Sequence, residues 1–415
     1  MKSFCTALLA ASCTLAASLT LAGELAPRRI VDTGPSEHLV LPPPFATKSV
    51  GNSPQVIGWP TGAMPKAPAG FEVTLFADEL DNPRNILVLP NRDVLVVEAN
   101  RRRGNSRALL FRDTNKSGKP DRREVFLANL NAAFGVALHG GKIFVGNTDA
   151  VVAYPYRTGD TQITAKAENI LSLPEGGHYT RNVIVDPEGK KLYIAVGSAT
   201  NVDEENIDAK DPRRAAILQT NLDGSAMRVF AGGLRNPVGM DWEPKTKTLW
   251  TVVNERDGLG DDLVPDFLTS ARDGAFYGWP YSYFGQIEDP RKKGQRPDLV
   301  AKAIKPDYAM GSHVAALGLT FYMGNSFPSR YHGGAFIGLR GSWNRSTPAG
   351  YKVVFVPFQN GKPSGPIEDF LTGFLAEEKP NRAHGRPVGV TVWSDGSLLV
   401  ADDGAGKIWR VSAKK

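Results

Sequence analysis

Three observations predict an all-β protein, a six-bladed β-propeller. Short apolar runs alternate at the period of a strand, turns of Gly, Asn, Asp and Pro separate them, and helical periodicity is scarce. A two-strand unit recurs along the chain. Its copies begin roughly every 50 to 80 residues, the spacing of four-stranded blades carrying loops. The chain is 415 residues long, which by length alone suggests two or three domains. Radial closure of six blades instead joins the copies in one body and leaves only short protected sheet edges.

The first 22 residues read as a cleaved secretory signal peptide: Met1 and Lys2, an apolar and small stretch from Phe4 to Ala22, and Thr20 and Ala22 as a small-x-small cleavage site. The apolar part falls short of the roughly 20 residues that span a bilayer, so export to the periplasm is expected rather than membrane insertion. Both cysteines, Cys5 and Cys13, lie in this leader. The mature chain is therefore expected to lack disulfides, cysteine-bound zinc and cysteine-attached haem. Residues 23–69 are rich in Pro, Gly and Ser and read as an extended arm or linker. Residues 70–415 form the expected propeller domain.

Each repeat pairs an alternating strand with a second apolar strand across a polar turn. The copies are Asn82-Pro-Arg-Asn-Ile-Leu-Val with Asp93-Val-Leu-Val-Val-Glu, Phe134-Gly-Val-Ala-Leu with Lys142-Ile-Phe-Val, and Arg181-Asn-Val-Ile-Val with Lys191-Leu-Tyr-Ile-Ala-Val. Asn236-Pro-Val-Gly-Met with Thr248-Leu-Trp-Thr-Val-Val, Ala316-Leu-Gly-Leu-Thr-Phe with Gly334-Ala-Phe-Ile-Gly, and Pro387-Val-Gly-Val-Thr-Val with Ser397-Leu-Leu-Val-Ala-Asp complete them.

Net charge is +6 and the pI about 9.1, but bases and acids are interspersed, which argues against a nucleic-acid stripe. Arg101–Arg103 and Arg291–Lys293 are either solvated loop tips or docking points for an acidic electron acceptor.

In a propeller, connecting loops converge around the central channel, so side chains distant in sequence meet there. Four clusters precede or follow repeat strands. His178, just before Arg181 and Asn182, offers a general base or a packing imidazole. Arg235 and Asn236, shaped by Pro237 and Gly239, present a guanidinium beside an amide, suited to a carboxylate or quinone oxygen. The segment from Asn254 to Asp262 is oxygen-rich and glycine-bearing, either a calcium-binding loop or an acidic turn. Arg340, Trp343 and Arg345, with Arg382, His384 and Arg386, gather cations that would bind a polyanion; Trp343 either stacks on a flat ring or fills a gap between blades. Asp113 to Asp121 begins like a calcium loop but lacks the acidic twelfth residue, and reads as a hydrophilic hairpin turn.

In this order, Leu234-Arg-Asn-Pro-Val-Gly, Asn254-Glu-Arg-Asp-Gly-Leu-Gly-Asp-Asp, Tyr277-Gly-Trp-Pro, Gly341-Ser-Trp-Asn-Arg and Gly385-Arg-Pro-Val-Gly-Val resemble the soluble pyrroloquinoline quinone (PQQ) sugar dehydrogenases, the sorbosone dehydrogenase-like branch in particular. The resemblance runs from Gly70 to Val411. It implies a six-bladed propeller with PQQ and calcium, oxidising a sugar or sugar aldehyde by hydride transfer to the quinone, and a separate electron acceptor such as a quinone or cytochrome. On it, His178 is the base and Arg235 polarises the quinone, with Asn236 against the cofactor. It also implies that the backbone carbonyls of Asp257 and Gly258 bind the metal, and that Arg340, Trp343, Arg345, His384 and Arg386 line the cofactor. Val238 stands where glucose-oxidising members carry Gln, and Arg340 where Lys or His is usual, so the resemblance does not point to glucose. Two rivals are a calcium-dependent lactonase, needing several carboxylates around one metal, and a noncatalytic carbohydrate- or protein-binding propeller.

Overall fold

The computed structural model describes residue 1 and residues 32–99, 106–203 and 205–414. Residues 2–22 of the expected leader, with Cys5 and Cys13, and the Arg101–Arg103 cluster lie outside them. No helix of the described residues is long and apolar enough to cross a membrane.

Each of the six recurring units opens a separate antiparallel sheet of four strands, two of which gain a fifth. The leading strands are Pro83–Val88, Gly135–His139, Val183–Val185, Pro237–Trp242, Ala316–Phe321 and Pro387–Val392. Each lies against the next and the last lies against the first. Glycines permit this approach: a Cβ on Gly318 would sit 2.1 Å from the Val388 carbonyl oxygen, and one on Gly389 2.5 Å from that of Arg84. The recurrent Val-Gly and Leu-Gly pairs of the sequence are thus the points where neighbouring sheets touch.

Strand periodicity explains where the core sits. In Val94–Glu98 every residue is buried, because successive side chains point to opposite faces and both faces are covered. Val94 and Val96 pack with Leu399 and Ile408 of the last sheet, whereas Leu95 and Val97 pack with Ile143 and Val145 of the second. The same sharing recurs between every neighbouring pair of sheets. At the centre, Phe134, Val238, Leu317 and Val388 form a small apolar plug.

The final sheet is composite. Phe71–Ala77 pairs antiparallel with the C-terminal strand Lys407–Ala413, so the two ends of the body share one sheet.

Residues 32–69, the described part of the expected arm, have little regular structure and are docked rather than free. Thr33–Pro35 pairs with Tyr308–Ser312, and Gln55–Val56 runs parallel to Arg382–Ala383. Trp59 stands edge-on to Phe374 and to Trp409, each at 5.3 Å, and its Nε1 donates to Asp402 Oδ2 at 2.8 Å. A proline-rich strand without a partner leaves its polar backbone to water; edge pairing and one half-buried indole fasten this one. Trp59→Ala should destabilise the protein by about 2–4 kcal/mol, read as a lower midpoint of denaturant unfolding with little change in slope.

Candidate active site

At one end of the ring, loops from all parts of the chain enclose a cleft of about 820 Å³, lined among others by Arg84, His178, Arg235, Asn236, Arg340 and Arg386. The volume lies in the range of small-molecule sites. The apolar plug's Leu317 also lines this cleft.

His178 sits on the loop ahead of Val183–Val185, and Arg181 braces that loop by donating to the carbonyls of His178, Thr180 and Pro174. The His178 Nδ1 is 3.0 Å from the Ser198 carbonyl oxygen. A carbonyl can only accept, so Nδ1 carries the proton and Nε2 keeps its lone pair. Burial, and then the nearby Arg235 charge, draw the imidazole down to about 3. The ring is therefore neutral with a single proton, on Nδ1.

Arg235 is buried and fixed on three sides. It donates to the Asn201 carbonyl at 3.0 Å and Oδ1 at 2.6 Å, and to the carbonyls of Asn254 at 3.0 Å and Glu255 at 2.8 Å. Its guanidinium lies 5.6 Å from the Trp279 ring centre. Burial lowers its pKa. Beside it, Asn236 is buried and its Oδ1 has no hydrogen-bond partner.

A second cationic group surrounds Asp403. Arg84 Nη1 and Arg340 Nε both donate to Asp403 Oδ2. Arg386 is anchored by its own side chain to the carbonyls of Arg340 at 3.2 Å and Gly341 at 2.6 Å. Burial pushes the Asp403 carboxyl up, but Arg340, Arg84 and Arg386 together hold it below the usual range. Arg386 is lowered to about 10 by burial and by Arg340. Three guanidiniums thus face one carboxylate, and the buried Arg84 Nε and Asp403 Oδ1 have no partner.

Asp257 lines the cleft between further charges. Its Oδ1 accepts from Asn344 and from His313 Nδ1, the latter at 3.2 Å, while Oδ2 is 4.0 Å from Arg235. His313 Nε2 is also 3.0 Å from the Gly260 carbonyl oxygen. Burial alone would draw His313 down, but the bonds to Asp257 and Gly260 raise it.

The structure brings some of the expected site residues together and sets others apart. His178, Arg235, Asn236, Asp257, Arg340, Trp343 and Arg386 line one cleft. Arg345 does not: it pairs with Asp262 at 2.9 Å and Asp32 at 3.5 Å. His384 is turned to the docked arm, its Nδ1 2.9 Å from the Gly58 carbonyl oxygen and its ring against Trp59. The arm, unforeseen as a neighbour, claims both. The Asp257 carbonyl, expected as a metal ligand, accepts two bonds at 3.0 Å from Arg256. Gly258 lines an adjoining pocket rather than the cleft. Within Arg291–Lys293, Lys292 is buried and donates to Asn206 at 2.7 Å, so this run is not wholly a loop tip. The segment from Asp113 to Asp121 is a turn between two strands, with Asp113 accepting from the backbone of Ser117 and Gly118.

The sequence reading missed Arg84, His313 and Asp403. A signal existed for two of them. Arg84 lies in the Asn82-Pro-Arg-Asn turn that opens the first repeat, and Asp403 follows the strand that ends the last.

A model of the TrAA12-like family matches residues 65–265 and 289–414. A pyrroloquinoline quinone-dependent pyranose dehydrogenase of Coprinopsis cinerea is 26% identical over 403 residues, covering 82% of this chain and 53% of that protein. The chain thus spans about half the length of that relative. The holo form of the pyranose dehydrogenase PQQ domain from Coprinopsis cinerea superposes with a TM-score of 0.71 at 23% identity, over 87% of this chain and 100% of the other. A calcium structure of a Trichoderma reesei carbohydrate-active enzyme of family AA12 gives 0.72 at 22% identity, over 88% and 99%. These superpositions establish a shared fold.

Proposed function

Because the chain belongs to the TrAA12-like family, we propose that it is a PQQ- and calcium-dependent dehydrogenase oxidising a sugar or sugar aldehyde, of the sorbosone or aldose kind, on a six-bladed propeller. One observation carries the reading: Arg84, Arg340 and Arg386 surround the single carboxylate of Asp403 in a cleft that also holds Arg235. At that end of the cleft three guanidiniums meet one carboxylate, a local excess of positive charge that suits a polyanion. PQQ is one, with carboxylates for Arg84, Arg340 and Arg386 and a quinone oxygen for Arg235. The partnerless Arg84 Nε is a buried group that such a ligand would satisfy.

PQQ, held by these residues, would supply the hydride acceptor for the oxidation of the sugar carbon. The chain's own part is to hold and to deprotonate. Arg235 and Asn236 fix the reacting end of the site, and the Nε2 lone pair of His178 takes the hydroxyl proton. Calcium rests on the chemistry of the relatives, since the Asp257 carbonyl is already engaged by Arg256. The leader at residues 1–22 supports a periplasmic location, with electrons leaving to a separate acceptor. A lactonase centre would need several convergent carboxylates; among the described residues no group of three or more His, Cys, Asp and Glu is placed to hold a metal.

The test is a titration of purified apoprotein with PQQ, with and without calcium, followed by dye reduction with aldoses, sorbosone and related aldehydes. Saturable, calcium-dependent quinone binding with turnover is expected. No binding under either condition would overturn the proposal.

The buried imidazole also sets the pH response. With the His178 pKa at about 3, the base form persists far below the ordinary histidine value of about 6.5. The acid limb of kcat/KM should therefore lie well below pH 6, checked by a pH–rate profile. Linkage has the opposite sense for stability: unfolded His178 takes up a proton below about 6.5, so this group costs stability as pH falls from there towards 3.

A further inference from the structure

A second pocket, of about 470 Å³, adjoins the cleft and shares Asp257, His313, Trp343 and Asn344 with it. Its remaining wall includes Ser49 and Gly51 of the docked arm and Thr200 and Asn201 of the loop that holds Arg235. Each pocket has a volume within the ~300–1,000 Å³ range of small-molecule sites. Trp343 stands on the boundary. Its residue is 49% exposed, whereas Trp250, Trp279, Trp393 and Trp409 are all buried. Its backbone is nevertheless fixed: its carbonyl accepts from Asn52 N at 2.7 Å, and the adjacent Asn344 donates to Asp257. Because the half-exposed indole lines both pockets, it offers each a flat apolar wall suited to stacking.

We propose that this second pocket is a subsite for the neighbouring ring of a short oligosaccharide whose reacting ring occupies the cleft. A pyranose presents an apolar face of C–H groups and a rim of hydroxyls. The Trp343 indole offers a flat apolar wall for the first, and hydroxyl and amide side chains such as Thr200 and Asn344 offer partners for the second. Because both pockets share Trp343 and Asn344, one ligand spans them without a break. The substrate class is then a disaccharide or longer sugar. This inference rests on the proposed sugar oxidation.

Gly51 gives the cleanest test. It lines only the second pocket, a Cβ added there meets nothing within 4 Å, and its backbone is not in the left-handed region. Gly51→Trp should fill the subsite and leave the cleft alone. In PQQ-loaded enzyme, kcat/KM for cellobiose, cellotriose, maltose and maltotriose should exceed that for glucose in at least one linkage series. Gly51→Trp should remove that advantage, about tenfold or more, while glucose turnover stays unchanged; Trp343→Ala should also lose it. Calorimetric titration of the protein without PQQ with the same trisaccharides supplies a second readout, with binding expected in the wild type and lost in Gly51→Trp. Equal kcat/KM for glucose and every oligosaccharide, or a Gly51→Trp variant that lowers both alike, would overturn the subsite. If no sugar is oxidised the oxidation reading fails by itself. Trisaccharide binding abolished by Gly51→Trp would then still support the subsite, and its absence would overturn that too.

Discussion

His178→Ala should lower kcat by about a thousandfold, within the ~10²–10⁴ range of positioned general bases, while leaving PQQ affinity unchanged. The imidazole is held by the Ser198 carbonyl through Nδ1 and braced from behind by Arg181, so its free nitrogen is Nε2. Removing the ring removes the one imidazole among the described cleft residues with an unengaged nitrogen, because His313 is tied at both nitrogens to Asp257 and Gly260. Dye-reduction kinetics on the PQQ-loaded variant, with quinone binding followed separately, make the check. Unchanged turnover would take His178 out of the mechanism.

Arg386→Ala should act on the other quantity, raising the Kd for PQQ by on the order of 100-fold, since truncating one partner of a buried charge pair costs ~2–5 kcal/mol. Its guanidinium is buried, lowered to about 10, and anchored only to two backbone carbonyls, Arg340 and Gly341. No carboxylate hydrogen-bonds to it, unlike Arg84 and Arg340. It is thus the one guanidinium of the three whose interaction with Asp403 is through space alone, which leaves its donors the best placed for the proposed cofactor. Titration of the variant with PQQ measures the effect, and kcat at saturating cofactor should be much less affected. Unaltered affinity would assign the cofactor carboxylates to Arg84 and Arg340 alone.

What sequence revealed and concealed has a physical pattern. The repeated units were legible because Val94, Leu95, Val96 and Val97 obey a period of two with both faces apolar, a local rule written in adjacent residues. His178 and Arg235 were legible because they flank those strands. Arg84 with Asp403 was not, since the two are 319 residues apart and meet only when the first and last leading strands touch. The fates of Arg345 and His384 depended on Asp32, Gly58 and Trp59, residues of an arm whose docking has no periodic signature. Local patterns specify strands; which loops share a mouth is decided by closure.

The shared sheet of Phe71–Ala77 and Lys407–Ala413 has a consequence for biogenesis. A ribosome delivers the first of these strands well before its partner, so the ring stays open until every intervening sheet has been made. Trp409, a buried residue of the second strand that stands edge-on to Trp59, reaches its place only then. The nascent chain is thus kept from premature closure by its own order of manufacture, and loss of the strand Lys407–Ala413 would leave an unlatched hoop rather than a slightly shorter protein.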